Sequence, residues 1–184
     1  MHEENRSDFF TELLKFAALA AIIVFPVRFF VAQPFVVSGA SMNPTFANGQ
    51  YLIVDELTYH FADPVRGDVI VFRYPKDPSQ FFIKRVIGLP GDTVVIKNGT
   101  VNIQKDGILV PLSEPYVINI GNGQDMSTTL GTDEYFVMGD NRPESSDSRI
   151  WGILPRSDII GHVFLRLLPI NTASVLPGST NTHL

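Results

Sequence analysis

Apolar residues fill one continuous stretch of this chain, from Leu13 to Ala32, and afterwards fall into short runs separated by Gly, Pro, Asn and Asp. Only Lys15 and Arg28 interrupt the first stretch. Its length matches the roughly 30 Å of a bilayer core at about 1.5 Å per helical residue. A helix apolar on all sides needs either a large protein or lipid to cover it. Lys15 and Arg28 can snorkel to opposite interfaces, and Pro26 would kink or end the helix. The pattern predicts one membrane anchor over 13–32, preceded by a short tail, 1–12. A cleavable leader fits less well, because the region before the apolar run is poor in positive charge and no clean small-x-small site follows it.

After residue 33 the pattern changes to β. Short runs rich in branched and aromatic residues occur at Tyr51–Val54, Asp68–Tyr74, Phe81–Leu89, Thr93–Lys97, Val101–Gln104, Ile108–Leu112, Tyr135–Gly139 and Gly161–Leu167. Asn98-Gly99 between two of them is a hairpin signal, which accounts for Asn98-Gly99-Thr100 without glycosylation. No helical period of useful length follows residue 33. Asn119–Thr132 reads as a polar, mobile insert, and Asn171–Leu184 as a partly disordered tail. The expectation is a mainly β, antiparallel domain over 33–184.

Composition narrows the chemistry. The chain has 184 residues, a formal net charge of −5 and no strongly basic segment, so nucleic acid is not an expected partner. It has no cysteine, which excludes disulfides, thiol catalysis and cysteine-ligated metals. The four histidines, His2, His60, His162 and His183, lack metal-ligand spacing. Neither metal nor cofactor is expected.

Two residues carry a candidate reaction. Ser41 lies in Val-Ser-Gly-Ala-Ser-Met-Asn-Pro-Thr (37–45), where Gly39 and Ala40 would let a substrate backbone come close and Pro44 fixes the turn. Read alone, this is also an ordinary Ser/Gly/Pro loop. Lys84 lies in Phe-Phe-Ile-Lys-Arg-Val-Ile-Gly (81–88). On a strand Phe82, Lys84 and Val86 share one face, while Phe81, Ile83, Arg85 and Ile87 share the other. An apolar setting disfavours the ammonium, and enzymes lower such lysines to about 7–8 for use as bases. Read alone, Lys84 is also a solvated edge-strand lysine. A third block, Gly-Asp-Asn-Arg-Pro-Glu-Ser-Ser-Asp-Ser-Arg-Ile-Trp-Gly (139–152), interleaves arginines with aspartates and predicts an ordered polar network. A surface loop is the alternative for Pro143–Ser146.

These blocks, with Gln-Pro-Phe-Val-Val (33–37) and Arg-Gly-Asp-Val-Ile-Val-Phe (66–72), resemble bacterial type I signal peptidases in order and spacing along nearly the whole chain. The resemblance implies a β-sheet catalytic domain behind one transmembrane helix, with the N-terminus cytoplasmic and the domain extracytoplasmic. It implies a serine endopeptidase with Ser41 as nucleophile, Lys84 as general base and Ser145 as the hydroxyl that hydrogen-bonds and orients the lysine. Phe35, Val37 and Met42 are implied on the substrate side. Asp147 and Arg149 are implied as a structural ion pair with Arg85 close to it. The implied partners are membrane lipid and the signal peptides of secretory precursors, read at small-x-small sites. Some family members carry a serine two residues before the nucleophile as an oxyanion donor. Gly39 stands there in this chain, leaving the Ser41 N–H as the main donor and a water or backbone group as the second. Alternatives are a Ser-Lys peptidase dedicated to one conjugation or pilus precursor, a catalytically dead membrane-bound binding module, and a self-cleaving Ser-Lys repressor.

Overall fold

The computed structural model describes residues 4–30, 32–105, 107–121 and 123–180, with side chains on the first helix described for 9–22. That helix, α1, runs Glu4–Phe30 and is followed at once by a strand, β1 (Ala32–Val36). The apolar run 13–32 is therefore helical over most of its length, but Ala32 already belongs to the sheet. Leu14, Phe16 and Ile22 are 73%, 71% and 69% exposed. Among the described residues, no protein surface covers these side chains. Among the described residues, no helix is long and apolar enough to cross a membrane, and the side chains of 23–32 lie outside the described set.

The domain after α1 is mainly antiparallel β. Its larger sheet contains β1, β2 (Tyr51–Asp55), β3 (Val69–Tyr74) and β4 (Asp77–Gly88). Four strands from later in the chain complete it. These are β9 (Glu134–Met138), β10 (Leu154–Pro155), β11 (Ile159–Leu168) and β12 (Ser174–Val175). The order is β1-β2-β11-β3-β4-β9-β10, with β12 attached to β11. The smaller sheet, in order β7-β6-β5-β8, contains β5 (Thr93–Lys97), β6 (Thr100–Lys105), β7 (Ile108–Pro111) and β8 (Met126–Thr129). Asn98 and Gly99, with φ of 48° and 77°, join β5 to β6 as the two-residue turn the sequence predicts.

Alternation along the strands divides the interior. On β9, Tyr135 and Val137 enter a core with Phe72, Val86 and Trp151, while Phe136 and Met138 enter another with Ile87, Val94 and Ile103. A third core, Val37, Met42, Phe46, Leu52, Val54 and Val71, lies under the turn that carries Ser41.

Two segments expected to lack regular structure contain strands. The polar segment 119–132 contains β8, which pairs with β5 from Thr93↔Thr129 to Ile96↔Met126. The tail from 171 to 180 is also held. Its β12 pairs with β11, and Gly178 O accepts a hydrogen bond from Arg85 Nη1 at 2.6 Å. Both are short edge strands: β8 is largely polar and pairs with the distant β5, and β12 is only Ser174–Val175 beside the preceding β11, so local pattern gives little sign of them. A short helix, α2 (Ser148–Trp151), also occurs in the polar block, capped by the Asp147 side chain.

Candidate active site

Ser41 and Lys84 meet across the sheet. Ser41 sits in the turn after β1, and Lys84 Nζ lies 2.8 Å from Ser41 Oγ and donates to Ile83 O at 2.9 Å. Lys84 is 4% exposed. Its pairing with Ile70 on β3 places it in the middle of β4, and its ammonium lies 5.2 Å from the centre of the Phe82 ring. Burial lowers its pKa to about 8, against the opposing pull of the Asp147 and Asp140 carboxylates. Near neutrality a useful fraction of the amine is thus unprotonated and able to take a proton.

A cleft of about 510 Å³ opens beside this pair. Phe35, Val36 and Val37 form one wall, Phe81, Phe82 and Ile83 the other, and Ser41 and Lys84 sit between them. Phe35 and Phe81 face each other edge-on at 5.5 Å between ring centres. Both walls are strand edges. β1 ends the larger sheet, with β2 its partner in the strand order. β9 pairs with β4 only over Arg85–Gly88, so Phe81–Lys84 have β3 on one side and, among the described residues, no strand on the other. An extended peptide laid between these edges could hydrogen-bond to the main chain, with alternate side chains entering the cleft.

The polar block packs behind the dyad as an ordered network. Arg85, fully buried, forms two hydrogen bonds to Asp140, at 2.8 and 2.6 Å, and donates to Gly67 O at 2.8 Å. The Tyr116 ring covers its guanidinium at 3.9 Å. Asp147 and Arg149 pair at 2.8 Å, as the resemblance implies. Arg85, however, joins Asp140 rather than that pair. Asp140 also accepts from Thr45 Oγ1 at 2.5 Å, and Arg142 donates to Glu114 and to Gly139 O.

Other implied site residues lie where the residue types allow. Ser145 is 5% exposed, and its hydroxyl has no hydrogen-bond partner among the described residues, Lys84 included. It packs on Gly139: a Cβ there would stand 2.3 Å from Ser145 Oγ and 2.4 Å from Ser41 O, so only glycine lets the loop approach the nucleophile this closely. Met42, implied on the substrate side, is 1% exposed and packs in the core beneath the turn, supporting Ser41 from below. Gly39 has φ +96°, a conformation in which a serine would be strained. Its N–H donates to Asn48 Oδ1 at 2.9 Å and is not free to serve as a second oxyanion donor. Ser146 and Glu144 also line the cleft, although neither is among the implied site residues. Asp140, Asn141 and Thr45 were also missed. The dense Gly-Asp-Asn-Arg run was the available signal, but their partners are set by strand register.

The chain belongs to the family described as signal peptidase, peptidase S26, whose model matches residues 10–168. It is 40% identical over 168 residues to a probable signal peptidase I-1 of Synechocystis sp., covering 88% of this chain and 84% of that one. It is 39% identical over 167 residues to a signal peptidase I of Leptolyngbya laminosa, covering 87% and 80%. A crystal structure of a signal peptidase I from Enterococcus faecalis V583 aligns with a TM-score of 0.46 at 35% identity, covering 55% of this chain and 97% of that one. The protein is a serine endopeptidase of this family.

Proposed function

We propose that this protein removes N-terminal signal peptides from exported precursors by a Ser41–Lys84 mechanism. The observation that carries this reading is the 2.8 Å approach of a buried lysine, with its pKa lowered to about 8, to a serine in a peptide-sized cleft between two open strand edges. The precursor lies extended in the cleft. Residues two apart on a strand share a side, so small side chains at the first and third positions before the cut face the wall of Phe35 and Val37. Neutral Lys84 accepts the Ser41 proton as Oγ attacks the carbonyl carbon. The Ser41 N–H meets the oxyanion. The C–N bond breaks, the proton on Nζ passes to the leaving amine, and an ester on Ser41 remains. Lys84 then deprotonates a water that attacks the ester, and Ser41 recovers its proton. Ser145 packs against Gly139 beside the nucleophile turn. Asp147 and Arg149 stiffen the loop that carries Ser145.

The N-terminal part acts as a tether, with 1–12 cytoplasmic and the domain from 33 extracytoplasmic. The apolar run 13–32 and the uncovered side chains of α1 support this. Tethering enzyme and precursor to one membrane raises their effective concentration. The test is cleavage of several unrelated precursors by the full chain in detergent and by a form lacking residues 1–31, which keeps β1 whole. The full chain should cut more than one precursor. The shortened form should still cut a short peptide while losing efficiency on precursors in vesicles. Cleavage of one precursor alone would favour the dedicated peptidase. A shortened form that is unfolded or inert on peptides would overturn the two-part division.

A further inference from the structure

The Ser41 turn is gripped from across the domain by one side chain for which the mechanism gives no role. Asn141 donates its main-chain N–H to Ser41 O at 3.0 Å, and its Nδ2 donates to Ala40 O at 3.1 Å. It therefore holds two consecutive carbonyls, one on each side of the nucleophile. The Ala40–Ser41 peptide is planar and trans, so its C=O and N–H point in opposite directions. Pulling Ala40 O toward the 139–141 loop turns the Ser41 N–H away from that loop. This N–H has no acceptor among the described residues. Gly39 has no side-chain donor, and its own N–H is taken by Asn48, so the aim of the Ser41 N–H determines how the oxyanion is met. The same carbonyl also accepts from Asn43 N at 3.1 Å, a bond within the turn that turns with it. Among the described residues, Asn141 alone ties this peptide to the β9 side of the site.

We infer that Asn141 is a positioning residue for the oxyanion donor: its side-chain amide fixes the plane of the Ala40–Ser41 peptide and so directs the Ser41 N–H into the cleft. The inference rests on the Ser41–Lys84 reading. A donor aimed in advance stabilises charge that develops only in the transition state. Removing the amide should therefore slow turnover while leaving substrate affinity in place.

The test uses the full chain in detergent and a quenched peptide with Ala-x-Ala before the cut, together with the matching peptide aldehyde and peptide alcohol. The aldehyde adds to Ser41 Oγ, its C=O becoming an oxyanion as the serine proton moves to Lys84, whereas the alcohol only occupies the cleft. In Asn141→Ala and in the isosteric Asn141→Asp, which cannot donate to Ala40 O, kcat should fall about 10–100-fold with KM changed less than about twofold. Aldehyde inhibition should weaken by a similar factor and alcohol inhibition should not change. The Tm should stay within about 4 °C, the scale of one partly exposed hydrogen bond. Unchanged kcat in both variants would overturn the inference, as would equal weakening of aldehyde and alcohol. Ser41→Ala separates the two readings: if it remains active, the dyad reading fails, whatever Asn141 does.

Discussion

Lys84 and Arg85 are neighbours on one strand, both buried cations, and the protein treats them in opposite ways. Lys84 is given a hydroxyl, a carbonyl and the face of an aromatic ring and, among the described residues, no carboxylate in contact. Arg85 is given a carboxylate through two hydrogen bonds, two main-chain carbonyls and a tyrosine ring. Strand alternation sends adjacent side chains to opposite faces, so the two environments are built independently within one residue of each other. Burial without a counter-ion lowers a pKa and makes a base. Burial with one preserves a charge and makes an anchor. The first site is chemically useful and thermodynamically unfavourable, and the second is the reverse.

The largest expected effect is on the unfavourable side. Ser41→Ala and Lys84→Ala should each lower kcat by more than about 10³-fold, and the double variant should be little worse than either, because groups acting as a unit are not additive. Steady-state cleavage of a short peptide measures this. Near-normal activity of Lys84→Ala at neutral pH would remove the base from the scheme and the point of the contrast.

On the other side, Arg85→Met or Asp140→Asn should destabilise the fold by about 3–5 kcal/mol, since each leaves a buried charge without its partner. Urea unfolding reads this directly. Replacing both residues with apolar ones should cost much less than the sum of the single changes. Additive losses would mean that Arg85 acts through its bonds to Gly67 and Gly178 more than through Asp140.

How far this contrast was legible in the sequence follows from distance along the chain. The Lys84 setting is local: Phe82 and Val86 stand two positions away, and alternation alone places them beside the amine. The Arg85 setting is not local. Asp140 is 55 positions away and comes alongside only through β4–β9 pairing, in which Arg85 faces Met138. The polar block could therefore be read as an ordered network while its pairings could not. Ser145 shows the same limit. Its place against Gly139 follows from the loop's tertiary path, and its unpartnered hydroxyl departs from the expected bond to Lys84. Most strands and the Asn98-Gly99 turn were legible because each lies within one segment. β8 was not, because its residues are largely polar and its partner β5 is distant, and β12 was not, because it is only Ser174–Val175.

A smaller effect should carry the opposite sign to that of Arg85. The unfolded lysine titrates near 10.5 and the folded one near 8. Below about pH 8 both states are protonated, and folding carries the whole penalty of the shift, roughly 3 kcal/mol at 1.36 kcal/mol per unit. Between about 8 and 10.5 the unfolded chain holds the extra proton, so stability rises with pH. Lys84→Met abolishes this penalty and loses hydrogen bonds worth about 1 kcal/mol. It should stabilise the protein by about 2 kcal/mol at pH 7, and the gain should shrink as pH rises toward 10. Arg85→Met should destabilise throughout that range. Loss of stability in Lys84→Met at pH 7 would show that the lysine's contacts outweigh its desolvation, and the contrast between the two residues would fail.

The smallest expected effect tests whether the Lys84 environment can be made to resemble that of Arg85. Activity requires the neutral amine, so the acid limb of the kcat/KM profile should fall as pH drops through about 8. Phe82 shares the face of Lys84, and its ring lies 5.2 Å from the amine. Phe82→Asp puts a carboxylate where the ring stood and readmits water. Both changes favour the ammonium, so the acid limb should move to higher pH by about one unit, a typical size for a nearby opposite charge. Activity at pH 7 should fall accordingly, while activity above pH 9 should recover much of its value, because there the amine is again neutral. A pH–rate series on the two proteins distinguishes this from damage to the cleft, which would lower the whole profile without moving the limb. An unmoved limb would mean that Lys84 owes its lowered pKa to something other than its apolar face, and the absence of a counter-ion would no longer be what separates it from Arg85.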